Sequence, residues 1–103
     1  MSDGSEDRDR SAIEVAREEI DRIDVKIVDL LSERAEQVRV IGDAKQRLGE
    51  PVYQPDREEK VFERVIHANS GPLDDGAIRR LFERIIDEAR RMERLAYKDD
   101  EEA

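Results

Sequence analysis

At 103 residues the chain is one domain, short of the ~150 residues of an average one but large enough to bury a small core. Charged residues make up 46% of it and leave a formal charge of −9, which argues against a nucleic-acid or membrane-surface partner. There is no cysteine, no apolar run long enough to span a bilayer and no apolar secretory segment, so disulfides and thiolate metal sites are excluded and a soluble, cytoplasmic protein is expected.

Leu, Ile, Val and Phe supply about a quarter of the residues, just above the ~20% below which a high net charge means disorder. The chain should fold, by pairing with another copy if not alone. Its acidity fits a salt-rich cytoplasm, where a Debye length of ~3 Å near 1 M removes self-repulsion, and fits an ordinary acidic helical protein equally well.

Residues 1–10 contain no apolar side chain after Met1 and read as a disordered acidic tail, as do residues 98–103. Between them, residues 11–97 read as one helical domain. From Ser11, an expected N-cap with Glu14 at the capping-box position, apolar residues recur at Ile13, Ala16, Ile20, Ile23, Ile27, Leu30, Leu31, Val38, Ile41 and Leu48. That spacing predicts one helix of roughly 35 residues, ~50 Å long. So long a helix cannot have its stripe covered by the rest of so short a chain, and it asks for a partner helix, most simply from a second copy.

Gly49, Pro51 and Pro55 break the pattern. A second helix restarts with Pro55 in its first turn, carries Val61, Phe62, Val65 and Ile66 on one face, and ends near Asn69 to Gly71. A third, capped by Asp74 or Asp75, carries Ile78, Leu81, Phe82, Ile85, Ile86, Ala89, Met92 and Ala96. The fold class is therefore all-α: three helices, long, short and long, with no strand signal and no internal repeat.

Most charges fall off these stripes and read as solvated i,i+3 and i,i+4 ladders. Four do not: Arg34 lies among Leu30, Leu31 and Val38, Lys45 follows Ile41 by four, Glu58 precedes Val61 and Phe62, and Glu93 follows Ala89 by four. Eleven residues at 100° each return Lys45 to within ~20° of Arg34, ~16 Å along the axis, so both can line one pocket from opposite ends. Arg17 is rotated by ~100° from Arg34 and ~25 Å away, so within one straight helix it cannot join that pocket; if it joins, it comes from another subunit. Each cation alone could snorkel, with its stem on the core and its head in water. With Glu58 and Glu93 on facing stripes, a polar pocket suited to a small anion with more than one carboxylate or phosphate becomes the better reading.

The stretches AREEIDRIDVKIVDLLSERAEQVRVIGDAK, PVYQPDREE and LFERIIDEARRMERL resemble the all-helical AroQ-type chorismate mutases, over about Val15 to Tyr97. The resemblance implies an intertwined homodimer whose two active sites are each completed by an arginine from the other subunit, the position of Arg17. It implies that Arg34 binds a carboxylate of chorismate, that Lys45 contacts a carboxylate and the ether oxygen, that Arg57 and Glu58 open the second helix at the site, and that Glu58 binds the substrate hydroxyl. Three positions depart from the best-known bacterial pattern: Gln54 stands where aspartate is common, Ala89 where serine is common, and Glu93 where a glutamine often donates to the ether oxygen. An ionised carboxylate only accepts, so Glu93 must be protonated to replace that donor.

The implied reaction, chorismate to prephenate in phenylalanine and tyrosine biosynthesis, is a rearrangement within one molecule. It calls for no metal, cofactor, nucleophile or general base, in keeping with the lack of any ligand or phosphate-loop motif. Lys45, Glu93 and Arg34 are the expected catalytic residues. His67, the lone histidine, is expected at the surface or the helix end. Rival readings are an isochorismate pyruvate lyase on the same scaffold and a non-catalytic helical dimer module whose inward charges are salt bridges.

Overall fold

The computed structural model describes residues 4–51 and 54–97. It has three helices, α1 (Gly4–Leu48), α2 (Pro55–Ala68) and α3 (Asp75–Ala96), and no strand among the described residues. The long, short, long order predicted from apolar spacing is the observed one. The chain forms two compact units, Met1–Glu36 and Gln37–Ala103.

In the first unit, α1 begins at Gly4 rather than at Ser11, so residues 4–10 of the expected tail are helical and the Ser11–Glu14 capping box does not form. Local electrostatics account for the difference. Glu6 and Asp7 lie in the first turn, where the helix dipole favours anions, and the Arg8 Nε donates to the Gly4 carbonyl at 3.3 Å. An all-polar segment can thus extend a helix already nucleated downstream, because each added residue contributes one hydrogen bond without a new nucleus. The expected tail at 98–103 lies outside the described residues.

The stripe of this unit is uncovered. Ile20, Ile23, Ile27 and Leu30 are 53%, 45%, 47% and 63% exposed. Val15, Val25 and Val28, which lie off the predicted stripe, are exposed as well.

In the second unit α2 packs on α3. Phe62 from α2 and Ile86 from α3 are the buried apolar centre, each 8% exposed, with Val61, Val65, Ile66, Ile78, Phe82 and Ile85 half-buried around them. The Arg79 guanidinium lies over the Phe62 ring, 4.3 Å from its centroid, and its Nη2 reaches Glu59 at 3.4 Å. Leu81 and Ile41, assigned to stripes from the sequence, stay exposed.

The ends of the helices are fixed locally. Gly49 takes φ 73°, its N–H donates to the Gln46 carbonyl at 3.2 Å, and the Glu50 N–H donates to the Lys45 carbonyl at 2.9 Å. This is the paired hydrogen-bond pattern of a left-handed helix stop, which a β-carbon would strain. Between α2 and α3, the Asn69 amide donates to the Leu73 carbonyl at 2.8 Å and to Asp75 Oδ1 at 2.9 Å, and its Oδ1 accepts from the Gly71 N–H at 3.0 Å. Asp74 is the N-cap of α3, accepting from the Ala77 N–H at 2.7 Å. Asp74→Ala is expected to lower stability by ~1 kcal/mol, read as a lower urea midpoint with an unchanged slope.

Candidate functional site

The left-handed stop at Gly49 sets where α1 ends and hence where Lys45 sits, in its last turn. Pro55 starts α2, and Gln54 is its N-cap in extended conformation. Gln54 makes no side-chain cap. Its Oε1 instead accepts from Lys45 Nζ at 3.2 Å. The end of α1 and the start of α2 are therefore joined through these two side chains.

Glu93, on the last turns of α3, is half-buried. Burial pushes its carboxyl above the ordinary glutamate range, and the positive charge of Lys45 pulls against that rise. Desolvation outweighs the cation, as expected where a carboxyl loses water faster than it gains a partner. Lys45 and Glu93 are thus within electrostatic reach, and Glu93 holds its proton to higher pH than a solvated glutamate.

Glu58, in the first turn of α2, accepts a hydrogen bond from Arg90 Nη2 of α3. Both side chains are more than two-thirds buried, and Arg90 also lies 3.8 Å from Asp87. Ala89 is half-buried beside it, and Arg57 is exposed. Sequence reasoning missed Arg90. The signal was present, since Glu58 was already an inward charge in want of a partner and Arg90 directly follows Ala89 on the facing stripe.

A second omission lies beyond Glu93. The Tyr97 hydroxyl donates to Asp43, and its phenol is pushed up to about 12, first by that hydrogen bond and then by burial and by the charges of Asp43 and Glu93, with Arg39 opposing. Gly42, the one buried residue of α1 among those described, lies beneath the ring.

Within the second unit, Lys45 is bonded to Gln54 and acts electrostatically on Glu93, Glu93 and Tyr97 line one cavity, and Glu58 is held by Arg90. Arg17 and Arg34 belong to the first unit, where Arg17 is exposed and Arg34 half-buried on α1. His67 is exposed in the last turn of α2, as expected. Among the described residues no His, Cys, Asp and Glu side chains cluster as metal ligands, and no helix is long and apolar enough to cross a membrane. What these groups offer is one cation and one carboxyl that keeps its proton to higher pH than a solvated glutamate; when protonated, the carboxyl can donate to an oxygen as the cation can.

The family described as Chorismate mutase type II matches residues 16–94, a span that holds every one of the site residues named from the sequence. The chain belongs to that family. The bifunctional chorismate mutase/prephenate dehydratase of Neisseria gonorrhoeae is 41% identical over 84 residues, covering 79% of this chain and 23% of that protein. The chorismate mutase of Methanocaldococcus jannaschii is 37% identical over 49 residues, covering 48% of this chain and 50% of that one. Among solved structures, the form II chorismate mutase of Thermus thermophilus superposes with a TM-score of 0.78 at 39% identity, over 80% of this chain and 93% of that one. The chain spans about a quarter of the length of the bifunctional relatives. Membership and the three-helix fold agree with the expectation from the sequence, while Tyr97 falls just outside the matched span.

The raised Glu93 carboxyl has a consequence for stability. Its folded pKa lies above its unfolded value, so its contribution is fully present below the unfolded pKa and is lost as pH rises through the folded one. Glu93→Gln removes that titration. Urea unfolding of the two proteins across pH 4 to 8 is expected to show the variant gaining on wild type as pH rises, and parallel curves would contradict the assignment of a buried carboxyl.

Proposed function

We propose that this chain is a chorismate mutase that converts chorismate to prephenate in aromatic amino acid biosynthesis, in the cytoplasm, as a homodimer with residues 11–97 as its catalytic domain. The observation that supports the reading is the Glu93 carboxyl, pushed above the ordinary glutamate range by burial against the pull of Lys45, within a chain whose family match includes every site residue named from the sequence.

Catalysis divides into holding and charge stabilisation. Arg34, with Arg17 supplied by the other subunit, clamps the two carboxylates and holds the compact conformer in which the reacting carbons approach. Lys45 and protonated Glu93 donate to the ether oxygen as its C–O bond breaks and negative charge gathers there. Glu58 accepts from the substrate hydroxyl, and Gln54 and Arg57 line the mouth. Ala89 contributes shape without a side-chain hydrogen bond. No step requires a metal, a cofactor or a covalent intermediate.

The dimer is supported by the uncovered apolar residues of α1. Ile13, Ile20, Ile23, Ile27, Leu30 and Leu31 all remain exposed on one chain, and each would contribute ~1.5–3 kcal/mol if fully buried. A second copy brings an identical stripe and the missing arginine together.

The test is to incubate metal-free protein with chorismate and identify the product: prephenate supports the proposal, while pyruvate or no turnover overturns it. Lys45→Ala is expected to lose ~10²- to 10³-fold in kcat/KM, and wild-type activity in that variant would contradict the mechanism. Activity should fall as pH rises through the Glu93 pKa, and Glu93→Gln should flatten that fall.

A further inference from the structure

Three observations converge where α3 ends against the last turns of α1. An ideal β-carbon at Gly42 would lie 2.8 Å from the Tyr97 hydroxyl oxygen, 3.0 Å from its Cε2 and 3.3 Å from Glu93 Oε2. The phenol and the carboxyl therefore share the groove that the missing side chain opens. Tyr97 is tied down there by its hydrogen bond to Asp43, one residue along α1 from Gly42. The same wall, formed by Arg39, Asp43, Met92, Glu93, Ala96 and Tyr97, is a small cavity with Glu93 on its lining.

We infer that Tyr97, hydrogen-bonded to Asp43 across Gly42, is a positioning residue that holds the Glu93 carboxyl in this groove and keeps water from it. Aromatic cover over a carboxyl is a direct way to deny hydration to its charged form, and Gly42 is what lets the ring come close enough. The charged and titratable groups around Glu93 are Lys45, Asp43 and Arg39 from α1 and Tyr97 from the end of α3. From α2, Glu58 meets α3 through Arg90. Of these, Lys45 favours the ionised form of Glu93, so the cover must outweigh it for the proton to stay.

The inference rests on the proposed role of Glu93 for its bearing on catalysis, but its test does not need turnover. Glutamate side chains labelled with ¹³C are titrated by NMR in the substrate-free protein, with the Glu93 signal assigned by its loss in Glu93→Gln. In Tyr97→Ala the carboxyl is expected to lose ~3- to 10-fold in proton affinity, a lower midpoint by about half to one pH unit, with Tyr97→Phe between that and wild type. Gly42→Ala displaces the ring from inside a helix where alanine is favoured, so it serves where Tyr97→Ala does not fold, and the same downward shift is expected. Asp43→Asn should lower the Tyr97 phenol midpoint from about 12 in an ultraviolet absorbance titration. An unchanged Glu93 midpoint in the folded Tyr97 or Gly42 variants, or an unchanged phenol in Asp43→Asn, overturns the inference. Absence of chorismate turnover with the shifts present instead overturns the proposed reaction and leaves the positioning role standing.

Discussion

An apolar stripe that its own chain leaves exposed is the constraint on which everything else depends. The second unit can satisfy itself, because α2 and α3 enclose Phe62 and Ile86 and lace their rims with Arg79–Glu59 and Arg90–Glu58. The first unit has no such recourse, since a single helix with Ile20, Ile23, Ile27 and Leu30 in water has nothing of its own to set against them. In the proposed dimer, association through α1 would remove that surface and, by two-fold symmetry, would do so twice with one set of contacts. A site drawing on both copies would then follow from how the proposed dimer is stabilised.

Against that apolar background the polar groups are few and committed. The left-handed stop at Gly49 ends α1 just after Lys45, and Gln54, the N-cap of α2, accepts from its Nζ, so this cation is held from both sides of the connection. Burial pushes the Glu93 carboxyl above the ordinary glutamate range against the pull of that cation. In the proposed mechanism, a donor pair of this kind would be prepared before any substrate arrives, which is what makes charge stabilisation effective without reorganisation. Glu58 meets Arg90 of α3, so Glu58 and Lys45, two of the groups expected to touch substrate, are each held by a side chain from another part of the fold.

Much of this was legible in the sequence because helices announce themselves by period. The α2 start followed from Pro55 and its end from the stretch Asn69 to Gly71, the α3 start from Asp74 or Asp75, and the inward charges from their place between apolar residues on a stripe. What escaped did so for identifiable reasons. The start of α1 at Gly4 depends on dipole and i,i+4 charge effects worth tenths of a kcal/mol each, too weak to outvote composition in a segment without apolar residues. Arg90 is one of two adjacent arginines, and only the packed pair of helices shows which of them meets Glu58. Tyr97 and Gly42 are unremarkable singly and acquire meaning from their contact across 55 residues of chain.

The central claim is that each active site is built from two chains, with Arg17 from one and Lys45 from the other. Arg17→Ala and Lys45→Ala, each nearly inactive alone, are unfolded together, refolded in equal amounts and assayed with chorismate. Random pairing makes half the dimers mixed, and each mixed dimer has one site with both residues intact, so about a quarter of wild-type activity should return. If the mixture is no more active than its two components, the sites are not shared and the account is wrong.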